Sequence, residues 1–506
     1  MNDRINKDAH PSLESLLSGL NRDQLQSLLL KLGEQEPSLT EAIERQAALL
    51  QTSQPTPSSP KAVPKPHITV DPKVVRRQVR SIIHSLDRMR SSEAYFQIGA
   101  VVNEIGQLVD QAWELIKADE GRQALTVLEA ITGEYLSEWE NLDDSDGEAS
   151  GFFSDLGTAW TEAILSADLT REEREQWADQ LAAWQEELDN YGVDEAFDAP
   201  QTAAIDGWDY PPLQRVLQGA ITEQGAWEGE APDYADDLTE ARLNILERRG
   251  RWQEYLYLAE AEGQTQEYVT MLVRLGRIEE AVSYGQQYLA TTEEALALAR
   301  ALYEHGEREQ SLQMAEHGLT LQGPRASLAK WLRDQALSMG EKTRALTAAE
   351  VAFRDEISLE NYLQAAEIAG EQWPERRNAL LDHARHTQSY YSQGQINVFL
   401  HEGLIDDAIA ALEPHASHTL VEQVVNAALE SQSHFDWVIQ ASLKQAEYIM
   451  NGGKAEYYSS AASWLAKART AYRATGREKE WQAYLGELLT QHGRKYKLVP
   501  MLKALR

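Results

Sequence analysis

The sequence predicts an all-α fold, an α-solenoid of helix-turn-helix repeats, and three observations carry that prediction. A glycine, four residues and then a small residue occur as Gly276-Arg277-Ile278-Glu279-Glu280-Ala281, and the pattern returns at Gly306–Ser311, Gly340–Ala345 and Gly403–Ala408, with looser copies at Gly250, Gly370 and Gly476. From Gly250 to Gly403 these glycines stand roughly 26, 30, 34, 30 and 33 residues apart, the length of one helical pair in a TPR-like array. Ala, Leu, Glu and Gln dominate while strand formers are sparse. In each unit the glycine ends one helix in the left-handed conformation that a residue without Cβ adopts cheaply, and the small residue lets the next helix pack close.

Taken in order, residues 1–50 read as a short N-terminal helical segment. Asn21 with Gln24 makes a capping-box start ahead of Leu25, Leu28, Leu29 and Leu32, and Pro37-Ser38 marks a second start. Residues 51–67 hold Pro55, Pro57, Pro60, Pro64 and Pro66 among Ser, Thr and Gln, the composition of an extended tether that builds no core. Residues 68–240 form a helical region with a basic first helix and an acidic, Trp-rich middle. Residues 241–506 form the repeat array with a basic C-terminal unit.

In the first helix Lys73, Arg76, Arg77, Arg80, Arg88 and Arg90 alternate with Val74, Val75, Val79, Ile82, Ile83 and Leu86. Such a face can sit on phosphates or on an acidic protein; alternatively its arginines pair with the acidic helices that follow. Between Glu134 and Glu240 the cations are Arg171, Arg174 and Arg215 among nearly thirty carboxylates. Trp160, Ile164 and Leu165, then Trp177, Leu181, Trp184 and Leu188, recur at helical spacing there, so the stretch is expected to fold with carboxylates outside and indoles inside. The aromatic loops Gly207–Pro212 and Gly225–Glu230 are expected to pack against helix pairs, with a ligand groove as the alternative.

Farther on, Leu243, Leu246, Trp252, Tyr255, Leu258, Tyr268, Leu272, Ile278, Tyr284 and Tyr288, continued by Leu296, Leu302, Leu312, Trp331, Leu332 and Leu337, are expected to form the seam between helices. The last unit is basic, and Arg494, Lys495 and Lys497 are its candidate contacts for an anionic partner, against a bland role at helix C-termini or in head-to-tail self-association.

A formal charge of -34 and a pI near 4.7 argue against the whole chain acting as a general phosphate-backbone binder. With no Cys there are no disulfides, thiol nucleophiles or thiolate zinc ligands. Asp143-Asp144-Ser145-Asp146-Gly147-Glu148 lacks the later bidentate Glu of a calcium loop and reads as a solvated loop before a helix start. His383/His386 and His415/His418 fix no third metal ligand, His401-Glu402 lacks the second His of a zincin, and neither a phosphate loop nor a Gly-x-Ser-x-Gly elbow occurs. No catalytic residue, metal or cofactor is therefore assigned. The N-terminus has no apolar signal core and no run approaches a membrane span, so the chain is expected to be cytoplasmic, without membrane contact.

The runs Ser85-Leu86-Asp87-Arg88-Met89-Arg90, Leu142 to Glu148, Trp208-Asp209-Tyr210-Pro211-Pro212-Leu213-Gln214 and His492-Gly493-Arg494-Lys495-Tyr496-Lys497-Leu498-Val499-Pro500 resemble the long helical region of prokaryotic SWIM-type zinc-finger proteins, in the same order and over nearly the whole chain. Members of that family carry a Cys-x-Cys and Cys-x-His finger ahead of this region, associated with nucleic-acid or protein binding. This sequence begins where the finger would end, near His10-Pro11-Ser12-Leu13, and has no Cys onto which its zinc ligands could be carried. The resemblance implies a finger on a separate polypeptide or a truncated reading frame. The expected function is a non-catalytic interaction scaffold for a protein partner; the alternative is a nucleic-acid-associated module working with a finger from another chain.

Overall fold

A computed structural model describes residues 71–87, 95–142, 144–222, 224–387, 392–412 and 416–506. The chain divides at Thr69–Val70, and all of these residues belong to the second unit, Val70–Arg506. The expected helices and tether of 1–67, with Asn21 and Gln24, lie outside the described residues.

The acidic part is built from α1 (Pro72–Ile83), α2 (Ile98–Lys117), α3 (Gly121–Glu138), α4 (Glu148–Ser166), α5 (Arg171–Asp189), α6 (Asp198–Asp206) and α7 (Pro211–Leu217). The regular array follows as α8 (Ala235–Arg248), α9 (Trp252–Ala261), α10 (Thr265–Arg274), α11 (Ile278–Tyr288), α12 (Thr292–His305), α13 (Arg308–Gly318), α14 (Ala326–Ser338), α15 (Lys342–Asp355) and α16 (Leu359–Ala369). The chain ends in α17 (Trp373–His386), α18 (Gln393–His401), α19 (Ile405–Ala410), α20 (His418–Glu430), α21 (Phe435–Asn451), α22 (Tyr458–Ala474), α23 (Glu478–Gln491) and α24 (Leu498–Lys503). Among the described residues the one strand-like feature is an isolated bridge between Thr291 and Gln322. The fold is the all-α solenoid of helical repeats that the glycine spacing predicts.

The repeat glycines do what that spacing requires. Gly276, Gly306, Gly340 and Gly403 have φ of 74°, 102°, 81° and 69°. At the first of them the Arg277 N–H bonds to the Leu272 carbonyl at 2.9 Å and the Gly276 N–H to the Val273 carbonyl at 2.9 Å, the paired bonds of a Schellman cap. The next helix then starts two residues after the glycine. Ala281, Ser311, Ala345 and Ala408, which close the four copies of the pattern, are fully buried.

Most helices pack on the next, and several also on the next but one, as α10 does on α11 and α12 and α16 does on α17 and α18. The core is therefore a succession of apolar clusters along the chain. α8 packs on α4 as well as on α9, so the core passes without a break from the acidic part into the array.

In the acidic part the indoles are inside, as expected. Trp160 is fully buried, its ring centroid 5.0 Å from that of Trp177 and 5.6 Å from that of Trp184, and its Nε1–H donates to Thr132 Oγ1 at 2.9 Å. Asp144 Oδ1 accepts the N–H groups of Ala149 and Ser150 at 2.8 and 3.1 Å, so this acidic loop caps α4. Thr170 and Glu173 form a capping box on α5, and Glu173 also accepts Arg122 Nη1 from α3 at 2.6 Å. One expectation is corrected: Trp252, Tyr288 and Leu337 are exposed rather than in the seam. Helical spacing selects a face, but in a solenoid only a neighbouring repeat decides whether that face is covered.

Two stability outcomes follow. A Cβ on Gly157, inside α4, would lie 2.1 Å from the Ala196 carbonyl oxygen, whereas one on Gly306 meets nothing within 4 Å. Gly157→Ala is expected to cost about 1–3 kcal/mol through overpacking, and Gly306→Ala only about 1–2 kcal/mol through its positive φ; urea denaturation of both variants checks the order. The Arg122 hydrogen bond, helped by the Thr170 N–H, holds the Glu173 carboxyl down to about 2. Its folded value lies below its unfolded one, so its contribution is present above the ordinary carboxylate range and is lost as pH falls toward about 2. In Arg122→Ala the Glu173 titration followed by NMR should return to ordinary carboxylate values, and an ordinary value already in the wild type contradicts the assignment.

Candidate interaction surface

The first helix divides its cations. Val75, Val79 and Ile83 bury one face of α1 against α3 and α2. On its flank Arg76 Nη2 lies 2.7 Å from Glu129 Oε1, and Arg80 Nε lies 2.6 Å from Glu134 Oε1 with Glu138 at 3.7 Å; all three glutamates are on α3. Arg77 Nε donates to the Lys73 carbonyl at 3.2 Å, and neither Lys73 nor Arg77 has a carboxylate at ion-pair distance among the described residues. Arg88 and Arg90 lie outside the described residues.

At the other end Lys495 is used internally. Its Nζ donates to the Met450 carbonyl at the end of α21 and stands 5.8 Å from the Tyr458 ring centroid. This bond draws the 493–497 turn onto the junction of α21 and α22. The exposed Arg494 and Lys497 thereby join the exposed Lys454, and none of the three has a carboxylate at ion-pair distance among the described residues. Burial and the Lys495 ammonium push the His492 imidazole below its usual range. Three aromatics stand out here: Tyr448, Tyr457 and Tyr496 are 72%, 52% and 79% exposed. Tyr496 between Lys495 and Lys497 was a legible signal for this patch, which the count of cations alone overlooked. The helix contacts do not bring the two basic ends together: α1 meets α2 and α3, while α21 to α24 meet one another and α20.

The aromatic loops after α6 pack. Trp208 Nε1–H donates to the Leu165 carbonyl and Trp227 Nε1–H to Glu262 Oε2, each at 2.8 Å. Tyr210 instead borders a cleft of about 510 Å³ between α5, α6 and the turn into α7, with Arg171, Arg174, Asp206 and Asp209. Gly207, at φ 55°, is the residue that leaves room for the Arg174 guanidinium, since a Cβ there would lie 2.1 Å from Nη1.

Beneath this wall sits Arg242 of α8, which is 0% exposed and whose three guanidinium nitrogens find no hydrogen-bond partner among the described residues. Burial pulls its pKa down to about 10, against the opposing charges of Asp206 and Glu262. Asp206 itself is raised by burial, with Arg242 and Arg174 opposing. Sequence reasoning passed over Arg242, although its spacing from Leu238 and Ile245 places it on the core face.

A second concavity, of about 340 Å³, crosses α14, α15 and α16 and is lined by Asp334, Leu337, Lys342, Gln364, Glu367 and Ile368. Leu337, and Leu363 on α16 next to Gln364, are each 41% exposed. Among the described residues no helix is long and apolar enough to cross a membrane.

No protein-family model and no curated protein matches the chain. Among solved structures, a "Circular tandem repeat protein with novel repeat topology and enhanced subunit contact surfaces" is 16% identical, with 86% of this chain and 87% of that chain covered and a TM-score of 0.19. The APC/C hetero-tetramer Cut9-Hcn1 is 11% identical, with 92% and 97% covered and a TM-score of 0.15. Both scores are low, and the fold class rests on the helices and their caps described above.

The orphaned guanidinium makes a testable point. Replacing it by an apolar chain of similar length removes a desolvated charge and breaks no hydrogen bond among the described residues: Glu262 keeps the N–H donors of Ala226 and Trp227, and Asp206, which loses an opposing charge, keeps that of Arg174. Arg242→Met is expected to leave stability unchanged or raise it by about 1–3 kcal/mol in denaturant unfolding. A loss greater than about 1 kcal/mol contradicts this account of the site.

Proposed function

We propose that the chain is a non-catalytic helical-repeat scaffold that binds a protein partner through the α14–α16 groove. The observation that carries the reading is Leu337, left 41% exposed in a groove that it shares with Ile368, Asp334, Lys342 and Glu367, with a second exposed leucine, Leu363, one position before the lining residue Gln364 on α16. An apolar centre inside a charged rim is the composition of a protein contact, and a rigid stack of helices holds it in place without ordering cost. The partner segment that fits presents two apolar side chains flanked by charges of both signs.

The resemblance to the helical region of SWIM-type proteins belongs to the same reading: a finger on another polypeptide would recruit its own ligand while the array holds that polypeptide. The nucleic-acid alternative draws on Lys73 and Arg77 at one end and Arg494 and Lys497 at the other. Its signature is an affinity that falls steeply with salt.

Chemical crosslinking and affinity capture with the full chain test the scaffold. Leu337→Glu/Leu363→Glu should lose the captured partner while its circular dichroism and melting midpoint stay at wild-type values. An unchanged set of captured proteins contradicts the assignment of the groove.

A further inference from the structure

Two surfaces of this chain carry charge that no described residue neutralises at ion-pair distance, and they are opposite in sign. The first is the junction of α21 and α22 with the 493–497 turn, which Lys495 ties to the Met450 carbonyl and the Tyr458 ring; Lys454, Arg494, Lys497, Tyr457 and Tyr496 are exposed on these segments, and Glu447 and Glu456 are the carboxylates within 447–458 and 492–497. The second is the C-terminal end of α5 and the loop after it, where Glu186, Glu187, Asp189, Asp194 and Glu195 are all exposed. None of these five has a cation at ion-pair distance among the described residues, although arginines elsewhere find acids on neighbouring helices: Arg274 reaches Glu247 at 2.6 Å, Arg344 reaches Glu309 at 2.9 Å and Arg385 reaches Asp407 at 2.8 Å. Tyr191, half exposed, is the aromatic at this acidic end.

Within one chain these surfaces do not meet. α5 packs on α6, and α21 to α24 pack on one another and on α20. Charge that is complementary within a sequence but separated in its fold can be joined between copies. We propose that this chain associates head to tail, the Lys454, Arg494 and Lys497 surface of one copy docking on the Glu186, Glu187 and Asp194 surface of the next. The exposed tyrosines give the contact apolar area that charge alone does not supply. Crowding among the acids fits the same picture, since Asp198, beside them, is raised by burial and by Asp189. The two surfaces differ, so the contact is heterologous and propagates unless the rotation between copies closes a ring. This deepens the scaffold reading by naming a second copy as one partner, at a surface separate from the α14–α16 groove.

The test is sedimentation velocity of the full chain over a concentration series. At about 20 mM salt the mass should climb above the 56.9 kDa monomer, and at about 1 M salt, where exposed charges are screened within a few ångström, it should return to it. Lys454→Glu/Arg494→Glu/Lys497→Glu should stay monomeric at low salt, and so should Glu186→Lys/Glu187→Lys/Asp194→Lys. An equimolar mixture of the two should recover the higher mass, because each reversed surface then meets its complement.

A wild type that stays monomeric at low salt overturns the inference, as does a mixture that stays monomeric. A monomeric wild type whose basic surface instead binds a polyglutamate peptide or a short single-stranded oligonucleotide overturns it and assigns the surface to a foreign polyanion. If the chain is monomeric yet still captures a partner through Leu337 and Leu363, self-association falls and the scaffold reading stands.

Discussion

A left-handed glycine at the tight turn within each copy of the Gly-x4-small pattern is the constraint on which the array depends. At Gly276, Gly306, Gly340 and Gly403 the backbone turns with positive φ, the residue after the glycine returns its N–H to a carbonyl five positions earlier, and the following helix is under way within two residues. That geometry satisfies helix-end carbonyls that would otherwise be orphaned, and it brings a fully buried Ala or Ser onto the preceding helix. Every larger side chain in the seam takes its place from this reversal. A Cβ at the glycine would cost the left-handed penalty at each repeat, which explains why the punctuation recurs while the sequence between copies varies.

Because most helices meet those one or two places away in the chain, charge is mostly neutralised nearby or left over. Arg76, Arg80 and Arg122 reach glutamates on adjoining helices, and the buried Glu162 of α4 is held by Arg248 and Asn244 of α8. A globular core could fold distant surfaces onto one another. In this stack the helix contacts do not join the acidic end of α5 to the basic junction at α21–α22. The same one-dimensional packing leaves Leu337 and Leu363 uncovered, since covering them would take an element from outside their own neighbourhood.

The parts legible in the sequence are those written locally. Gly-x4-small marks a turn and its packing residue within six positions, and Thr170 with Glu173 marks a helix start within four. Burial of a seam residue was less legible: Trp252, Tyr288 and Leu337 have the right spacing but lie on faces that neighbouring helices cover only in part. The basic first helix reads as one face in the sequence, yet the docking of α1 on α3 engages Arg76 and Arg80 and leaves Lys73 and Arg77 without an acid. The patch around Tyr496 takes its place from Lys495, which reaches the Met450 carbonyl forty-five positions away and the Tyr458 ring; its one local sign in the sequence is Tyr496 between Lys495 and Lys497. Arg242 was visible as a charge at a core position, but its lack of hydrogen bonds is a fact of three dimensions.

Native-state hydrogen exchange on a chain ended after Ser433 tests the central claim most directly. If helices are held by near neighbours alone, removing α21–α24 should lower amide protection in α19 and α20 and leave α8–α16 at full-length values. A uniform loss of protection through α8–α16 would contradict nearest-neighbour stacking and the interaction surfaces built on it.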